Sequence, residues 1–330
     1  MIAKLKRREF ITLLGGAAAW PLTVSAQQHA ASVIGFLHSA SPAQWQQLLG
    51  AFRDGLNAVE YSKEQNVAIE FRWAEGRYER LPALAADLVG RRVAVIAAAG
   101  GVPSALAAKA ATSTIPIVFL TGEDPVRHGL VASLNRPEGN ITGVTFFNSE
   151  LGPKRLGLLH EIVPHATRVG FLMNPTNPEG ESQPVAMQEA AATVGVNLQV
   201  FNASTASEID TAFATLSEQR TDALIIAGDP FFSARRAQFV VLAARYAIPA
   251  IFSSREFVDN GGLMSYGTSR SDAYRQLGTY TGRIVRGEKP SDLPIVQATK
   301  FELLINLNTA KALGLTAPPT LLARADEVIE

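Results

Sequence analysis

Val33-Ile34-Gly35-Phe36-Leu37 opens a pattern that Arg168-Val169-Gly170-Phe171-Leu172 opens again, 135 positions later from Gly35 to Gly170. In each copy a polar turn and a helical stretch lead to a second apolar strand. These are Val67-Ala68-Ile69-Glu70-Phe71 and Val196-Asn197-Leu198-Gln199-Val200-Phe201. Third strands follow at Val93–Ile96 and Ala223–Ile226. Fourth strands repeat almost letter for letter, Ile115-Pro116-Ile117-Val118-Phe119 against Ile248-Pro249-Ala250-Ile251-Phe252. Strands alternating with helical patterns predict parallel sheets covered by helices on both faces. Two copies of one plan predict two Rossmann-like α/β lobes with a cleft between them, and such a cleft is where a small molecule is held. The period is far too long for a stacked solenoid.

The spacing of Trp45, Leu48, Leu49, Phe52, Leu56 and Val59 gives a first helix one apolar face, with Ser41-Pro42 as its N-cap and first helical residue. On that spacing Trp45 reads as a core side chain rather than a ring offered to a ligand. Further helices are expected at Leu81–Val89, at Pro103–Ala111 and, longer and carrying Arg235, Arg236 and Arg245, at Phe231–Tyr246. The chain leaves the first copy around Asn140–Phe147 and crosses again after Gly261–Gly267. A helix from Tyr274 to Arg286 is stopped by Gly287 and Pro290; Leu293–Val296, Phe301–Asn306 and a short helix from Thr309 to Leu313 follow. With that tail passing back over the cleft, three strands join the lobes as a hinge that bends without letting them separate. The expected organisation is residues 1–26 as an export signal, 27–146 with about 271–290 as the N-terminal lobe, and 147–270 with about 291–330 as the C-terminal lobe.

Lys6-Arg7-Arg8-Glu9-Phe10-Ile11 is a twin-arginine pattern; an apolar stretch runs from Ile11 to Trp20, and Val24-Ser25-Ala26 offers small residues for cleavage. That order describes an export signal, with the mature chain starting near Gln27 in the periplasm. The apolar stretch is too short for a membrane anchor, and Pro21 interrupts it. Cysteine is absent, which removes a lipid-attachment site, disulfides, thiolate metal sites and cysteine nucleophiles. Thirty basic and thirty acidic residues cancel, and no basic stripe stands out, so nucleic acid is excluded as a partner. No later apolar run is long enough for stable membrane insertion.

Ligands of open parallel sheets bind beyond the carboxyl ends of the strands. That rule selects Ser39 and Ser41 after the first strand, Gly100 and Gly101 after the third, and Thr121 and Glu123 after the fourth. In the second copy it selects Asn174 and Thr176, then Asp229, with Tyr266 ending the strand at the second crossing. Small polar residues at helix starts expose N–H groups and hydroxyls that favour an anion such as a carboxylate. Asp229 can hold an ammonium or hydroxyl by a charge-assisted bond, or cap the helix that Pro230 begins. Enzyme signatures are missing: there is no nucleophile elbow, Walker loop or dinucleotide fingerprint. The five histidines show no paired metal spacing. No catalytic residue, metal or cofactor is therefore expected.

Four segments carry a resemblance: Arg7–Gly16, Gly129–Pro137, Gly261–Gly267 and Ile305–Leu315, with the terminal Leu321–Ile329 in keeping. On these the chain resembles the periplasmic substrate-binding proteins of ABC transporters, in the branch related to tryptophan- and tyrosine-binding components. The resemblance implies a type I two-lobed binding fold, no catalysis, and delivery of a small solute to an inner-membrane permease that the protein meets transiently, as a monomer. The function expected is binding of a small carboxylate-bearing solute, such as an aromatic amino acid or aromatic acid, by hinge closure. A ligand-sensing subunit for a membrane receptor and an exported α/β enzyme are the alternatives.

Overall fold

The computed structural model describes residues 32–59, 68–146, 149–177 and 183–330. The export signal expected over residues 1–26 lies outside the described residues. The first sheet is built from β1 (Val33–His38), β2 (Ala68–Trp73), β3 (Val95–Ala98), β4 (Ile117–Thr121) and β5 (Ile141–Thr145), with α1 (Gln46–Ala58), α2 (Leu81–Gly90) and α3 (Val102–Ala111) between them. The second copy runs α4 (Gly152–Ile162), β6 (Arg168–Met173), α5 (Gln183–Val194), β7 (Asn197–Asn202), α6 (Ala206–Glu218) and β8 (Ala223–Ile226). It continues through α7 (Pro230–Ala234), α8 (Arg236–Arg245), β9 (Ala250–Phe252), α9 (Arg255–Val258) and β10 (Met264–Thr268). The tail adds α10 (Arg270–Val285), β11 (Val296–Gln297), β12 (Phe301–Asn306), α11 (Leu307–Ala312), α12 (Pro319–Leu322) and β13 (Glu327–Ile329).

The repeat read from the sequence is a repeat of topology. The first sheet is ordered β11-β5-β4-β3-β1-β2 and the second β13-β12-β10-β9-β8-β6-β7. Within each, the first five strands of the copy lie in the order second, first, third, fourth, fifth. All pairings are parallel except β10 with β12. Strands β3, β4, β8 and β9 are buried along their whole length, as strands covered by helices on both faces must be.

Several elements differ from the expectation. The helix expected over Phe231–Tyr246 is two, α7 and α8, broken at Arg235, whose backbone leaves the helical region (φ −111°, ψ 20°). Its guanidinium turns back over the Phe231 ring, 3.8 Å from the centroid. Ser41 introduces a single 3-10 turn, Pro42–Gln44, and makes no cap bond; α1 begins only after Trp45. The helix expected from Tyr274 starts one turn earlier, behind Ser269. The stretch from 291, expected with the second copy, first pairs Val296 and Gln297 with Val144 and Thr145 of β5.

The chain passes between the sheets three times: after β5, from β10 into α10, and from β11 into β12. Hydrogen bonds lace the three passages together. Ala298 N donates to Thr145 O at 2.8 Å, Thr268 Oγ1 to Phe146 O at 3.1 Å, and Ser269 N to Lys300 O at 2.8 Å. The second passage sends α10 back onto the first sheet, where Ala273, Leu277 and Ile284 join one core with Phe36, Phe52 and Leu56.

The contact of α10 with α1 is set by glycines. A Cβ on Gly55 would stand 1.9 Å from Arg275 O, and one on Gly278 2.0 Å from Phe52 O. Only backbone lies on the far side, so neither clash can be relieved by a rotamer. Gly55→Ala and Gly278→Ala are each expected to lower the unfolding free energy by about 1–3 kcal/mol, the usual overpacking cost. Gly50→Ala, on the same α1 but with nothing near its Cβ, should be neutral or stabilise by up to about 1 kcal/mol. Urea denaturation of the three variants separates the cases; equal effects would mean that the helices are free to move apart.

Candidate functional site

In a doubly wound sheet the crevice lies where the strand order reverses. Here that point is between β1 and β3 in one lobe and between β6 and β8 in the other. The loops leaving these strands meet across a cleft of about 600 Å³, part of it open to solvent. The first lobe lines it with Trp45, Gly101, Leu120, Gly122 and Phe146. The second lobe contributes Asp229, Pro230, Ser233, Ser253 and Ser254. Thr268, Arg270 and Tyr274 enter from the second passage and the first turns of α10.

One end is aromatic and cationic. His38, the last residue of β1, lies beneath it, fully buried. The Ala40 N–H donates to His38 Nδ1 at 2.9 Å, which places the ring proton on Nε2, 3.0 Å from Tyr274 Oη. Tyr274 in turn donates to Ala99 O at 3.3 Å. The His38 ring is 4.2 Å from that of Trp45, and the Arg270 guanidinium also lies over the Trp45 ring, 4.3 Å from its centroid. Arg270 also reaches the opposite lobe, with Nη1 3.3 Å from Ser233 Oγ and 3.7 Å from Glu256 Oε2. Burial works against charge on Glu256, but the Arg270 and Arg236 charges and nearby hydrogen-bond donors together outweigh it and hold that carboxyl below its ordinary value. Trp45 is 3% exposed, and its buried Nε1 has no hydrogen-bond partner among the described residues.

The other end is Asp229. Its Oδ1 accepts from Phe232 N at 2.9 Å and so caps α7. Its Oδ2 accepts from Asn177 Nδ2 at 2.8 Å, Asn174 Nδ2 at 3.3 Å and, across the cleft, Tyr78 Oη at 3.1 Å. Burial pushes the Asp229 carboxyl above its ordinary value against the pull of these donors. The capping and cleft roles weighed from the sequence therefore coincide in one side chain.

The other selected residues take distinct places. Gly101 lines the cleft in a left-handed conformation (φ 80°) at the start of α3. Ser39 is buried and donates to Gly100 O at 2.8 Å, and a Cβ on Gly100 would fall 2.2 Å from Ser39 N. This pair holds the β1 and β3 loops against each other. Thr121 and Thr145 both donate to Glu123 O, at 3.0 and 2.9 Å, tying the end of β4 to β5. Glu123 Oε2 faces His128 at 3.9 Å. Asn174 and Thr176 sit behind Asp229, with Thr176 donating to Asn174 Oδ1 at 2.8 Å. Tyr266 stacks on Phe301 of β12, centroids 6.1 Å apart, and its carbonyl accepts from Arg155 Nε at 2.7 Å, so its ring belongs to the hinge side rather than the cleft lining. Ser41 caps nothing and stands outside the lining. The sequence pattern starts α10 at Tyr274 and so leaves Arg270 outside it; Ser269 as N-cap, with Asp272 in the first turn, is the signal that marks the residue. Among the described residues no group of three or more His, Asp or Glu side chains is placed to hold a metal, and no helix is long and apolar enough to cross a membrane.

His38 gives a pH test. Burial, with the nearby Arg270 charge, lowers its pKa well below the ordinary 6.5. A histidine depressed in the fold stabilises fully above the unfolded value. That stabilisation is lost as pH falls below 6.5 towards the folded-state value, by up to about 1.4 kcal/mol per pH unit. Between pH 7.5 and 5.5 the protein should lose about 1 kcal/mol more than His38→Gln does, read by urea denaturation at each pH. Asp229, displaced in the opposite direction, is common to both proteins and cancels. Equal losses would mean that His38 carries its charge in the fold.

The ABC transporter substrate binding protein family matches residues 34–329. A tyrosine-binding protein of Clostridioides difficile (strain R20291) is 28% identical over 270 residues, 80% of this chain and 75% of that protein. Among solved structures, a conserved domain protein of Vibrio cholerae O1 biovar El Tor is 26% identical with a TM-score of 0.83, over 90% of this chain and 99% of that one. An ABC domain of Streptococcus pneumoniae in complex with L-Trp is 24% identical, also at 0.83, over 91% and 100%. With the repeated topology, the three-strand hinge and the interlobe cleft, these matches establish the type I periplasmic binding fold. The chain belongs to the ABC transporter substrate-binding protein family, whose members hold a small-molecule solute for a membrane permease and catalyse no reaction.

Proposed function

We propose that the chain is the solute-binding component of an ABC uptake transporter, exported to the periplasm. In this reading it acts as a monomer that closes its lobes on a small carboxylate-bearing solute with a flat apolar body, such as an aromatic amino acid or an aromatic acid. Among the described residues the lobes divide as 32–146 with 270–298 and 149–269 with 299–330, and the permease is met transiently. The observation that carries the reading is Arg270. It presents a guanidinium at the cleft, over Trp45 of one lobe and against Ser233 of the other. A guanidinium held in this way offers bidentate donors to a carboxylate. The helices α3 and α10 both begin at the cleft without a side-chain cap, which adds favourable dipoles for an anion. Trp45, Phe146, Leu120 and Tyr274 supply an apolar bed for a ring.

The magnitudes are consistent with a receptor. A micromolar ligand needs roughly 8 kcal/mol. Two or three charge-assisted hydrogen bonds, each about 1.5–3 kcal/mol, plus burial of a ring at about 2–3 kcal/mol reach that range. Only contacts made in the closed arrangement move the balance between open and closed lobes. Arg270–Ser233 and Tyr78–Asp229 are contacts of that kind.

A thermal-shift screen against amino acids, aromatic acids, keto acids, sugars and purines is the first test. A ligand at a hundredfold over its dissociation constant stabilises by about 2.7 kcal/mol. The strongest hit is expected to carry a carboxylate, and Arg270→Gln should weaken it at least about tenfold by calorimetry. A sugar or purine as sole hit, or unchanged affinity in the variant, would overturn the assignment of Arg270. For export, protein recovered from the periplasm should begin at Gln27, and replacing Arg7 and Arg8 by lysine should leave the precursor inside the cell. Normal processing of that variant would point to the general secretion route.

A further inference from the structure

The cleft is rich in hydrogen-bond donors and poor in charged acceptors. On the donor side stand Arg270 and the buried Trp45 Nε1 that has no partner among the described residues. On the acceptor side Asp229 is the one carboxylate among the lining residues. A carboxylate has about four lone-pair sites. Asn177, Asn174 and Tyr78 already crowd Oδ2, and Phe232 N takes one site on Oδ1. The other acidic side chains close by lie outside the lining, each facing a nitrogen of a neighbouring side chain. Glu256 is 3.7 Å from Arg270, and Glu123 is 3.9 Å from His128.

The hydroxyls of the lining do not replace a carboxylate. Ser233 Oγ receives Arg270, Thr268 Oγ1 donates to Phe146 O, the Tyr274 hydroxyl lies between His38 and Ala99, and Ser253 and Ser254 offer neutral oxygens with no opposing charge. An alkylammonium brings three donors and a full charge. Burying it without an opposing charge is costly, whereas a carboxylate finds donors waiting. Burial also raises the Asp229 carboxyl, which further reduces what it offers a cation.

We infer that the cleft selects a carboxylate whose apolar body carries no α-ammonium group, in preference to the corresponding amino acid. This rests on the carboxylate-receptor reading given above and narrows its substrate class. Asp229 then acts as the organiser of Asn174, Asn177 and Tyr78, and Arg270 with Trp45 as the contact to the ligand.

The test is calorimetry on the purified protein, unfolded and refolded to strip bound solute, with three matched pairs. These are 3-phenylpropionate and L-phenylalanine, 3-(4-hydroxyphenyl)propionate and L-tyrosine, and indole-3-propionate and L-tryptophan. The acid of at least one pair is expected to bind ten times or more tighter than its amino acid, with no pair reversed. Amino acids binding equally or more tightly would overturn this inference and leave the receptor reading standing. Binding by none of the six would overturn both. Tyr78→Phe removes one donor from Asp229 and should narrow the acid preference at least threefold, mainly by strengthening the amino acid. An unchanged preference in that variant would also overturn the inference, because selectivity would then not arise at Asp229.

Discussion

Three short backbone passages join the lobes, and three hydrogen bonds among six residues tie them into one strap. Ala298 N to Thr145 O, Thr268 Oγ1 to Phe146 O, and Ser269 N to Lys300 O mean that no passage bends alone. Because Phe146, Thr268 and Arg270 lie on or next to these passages and also line the cleft, the floor of the site and the hinge are the same structure. A ligand contact there acts directly on the angle between the lobes, with no longer route needed. Arg155, fully buried and bonded to the Tyr266 carbonyl, holds the second-lobe side of the strap in place.

The two ends of the cleft show how one topology yields different chemistry. Each switch point places a loop after a first strand beside a loop after a third. In the first lobe those loops are closed by Ser39 on Gly100 and supported by His38, leaving aromatic rings and Arg270 at the surface. In the second they are closed by Asn174 and Asn177 on Asp229. The first arrangement spends its hydrogen bonds behind the wall and leaves donors in front; the second gathers donors onto a single acid. The asymmetry arises from side chains, since the strand order is shared.

The doubled plan was legible because apolar strands and intervening helices are properties of short stretches, and the two copies repeat them. The rule that ligands lie beyond strand ends led to loops whose Gly101 and Asp229 line the cleft. It did not separate residues that face the cleft from those that pin the loops. Ser39 and Thr121 pin; Ser253 and Ser254 line. Trp45 illustrates the limit of periodicity. It is buried as its spacing predicts, yet it also forms cleft wall, because what covers it is Arg270 from the far end of the chain. The crowding of donors on Asp229 was likewise out of reach, since one of them, Tyr78, belongs to the other lobe.

The return of α10 to the first sheet has a consequence for how the chain comes off the ribosome. The apolar face of α1 and the edge of β5 appear early, but their partners, α10 and β11, are encoded more than a hundred residues later, after β10. During synthesis the second sheet can pair its strands β6 to β10 while the first still exposes Phe52 and Leu56. The lobe that begins first thus waits for α10 and β11, and the second then takes β12 and β13 from the end of the chain. A nascent chain arrested before residue 270 presents a sticky helix face to chaperones, whereas passing residue 298 closes the first core and leaves the second waiting for Leu303, Ile305 and Leu321.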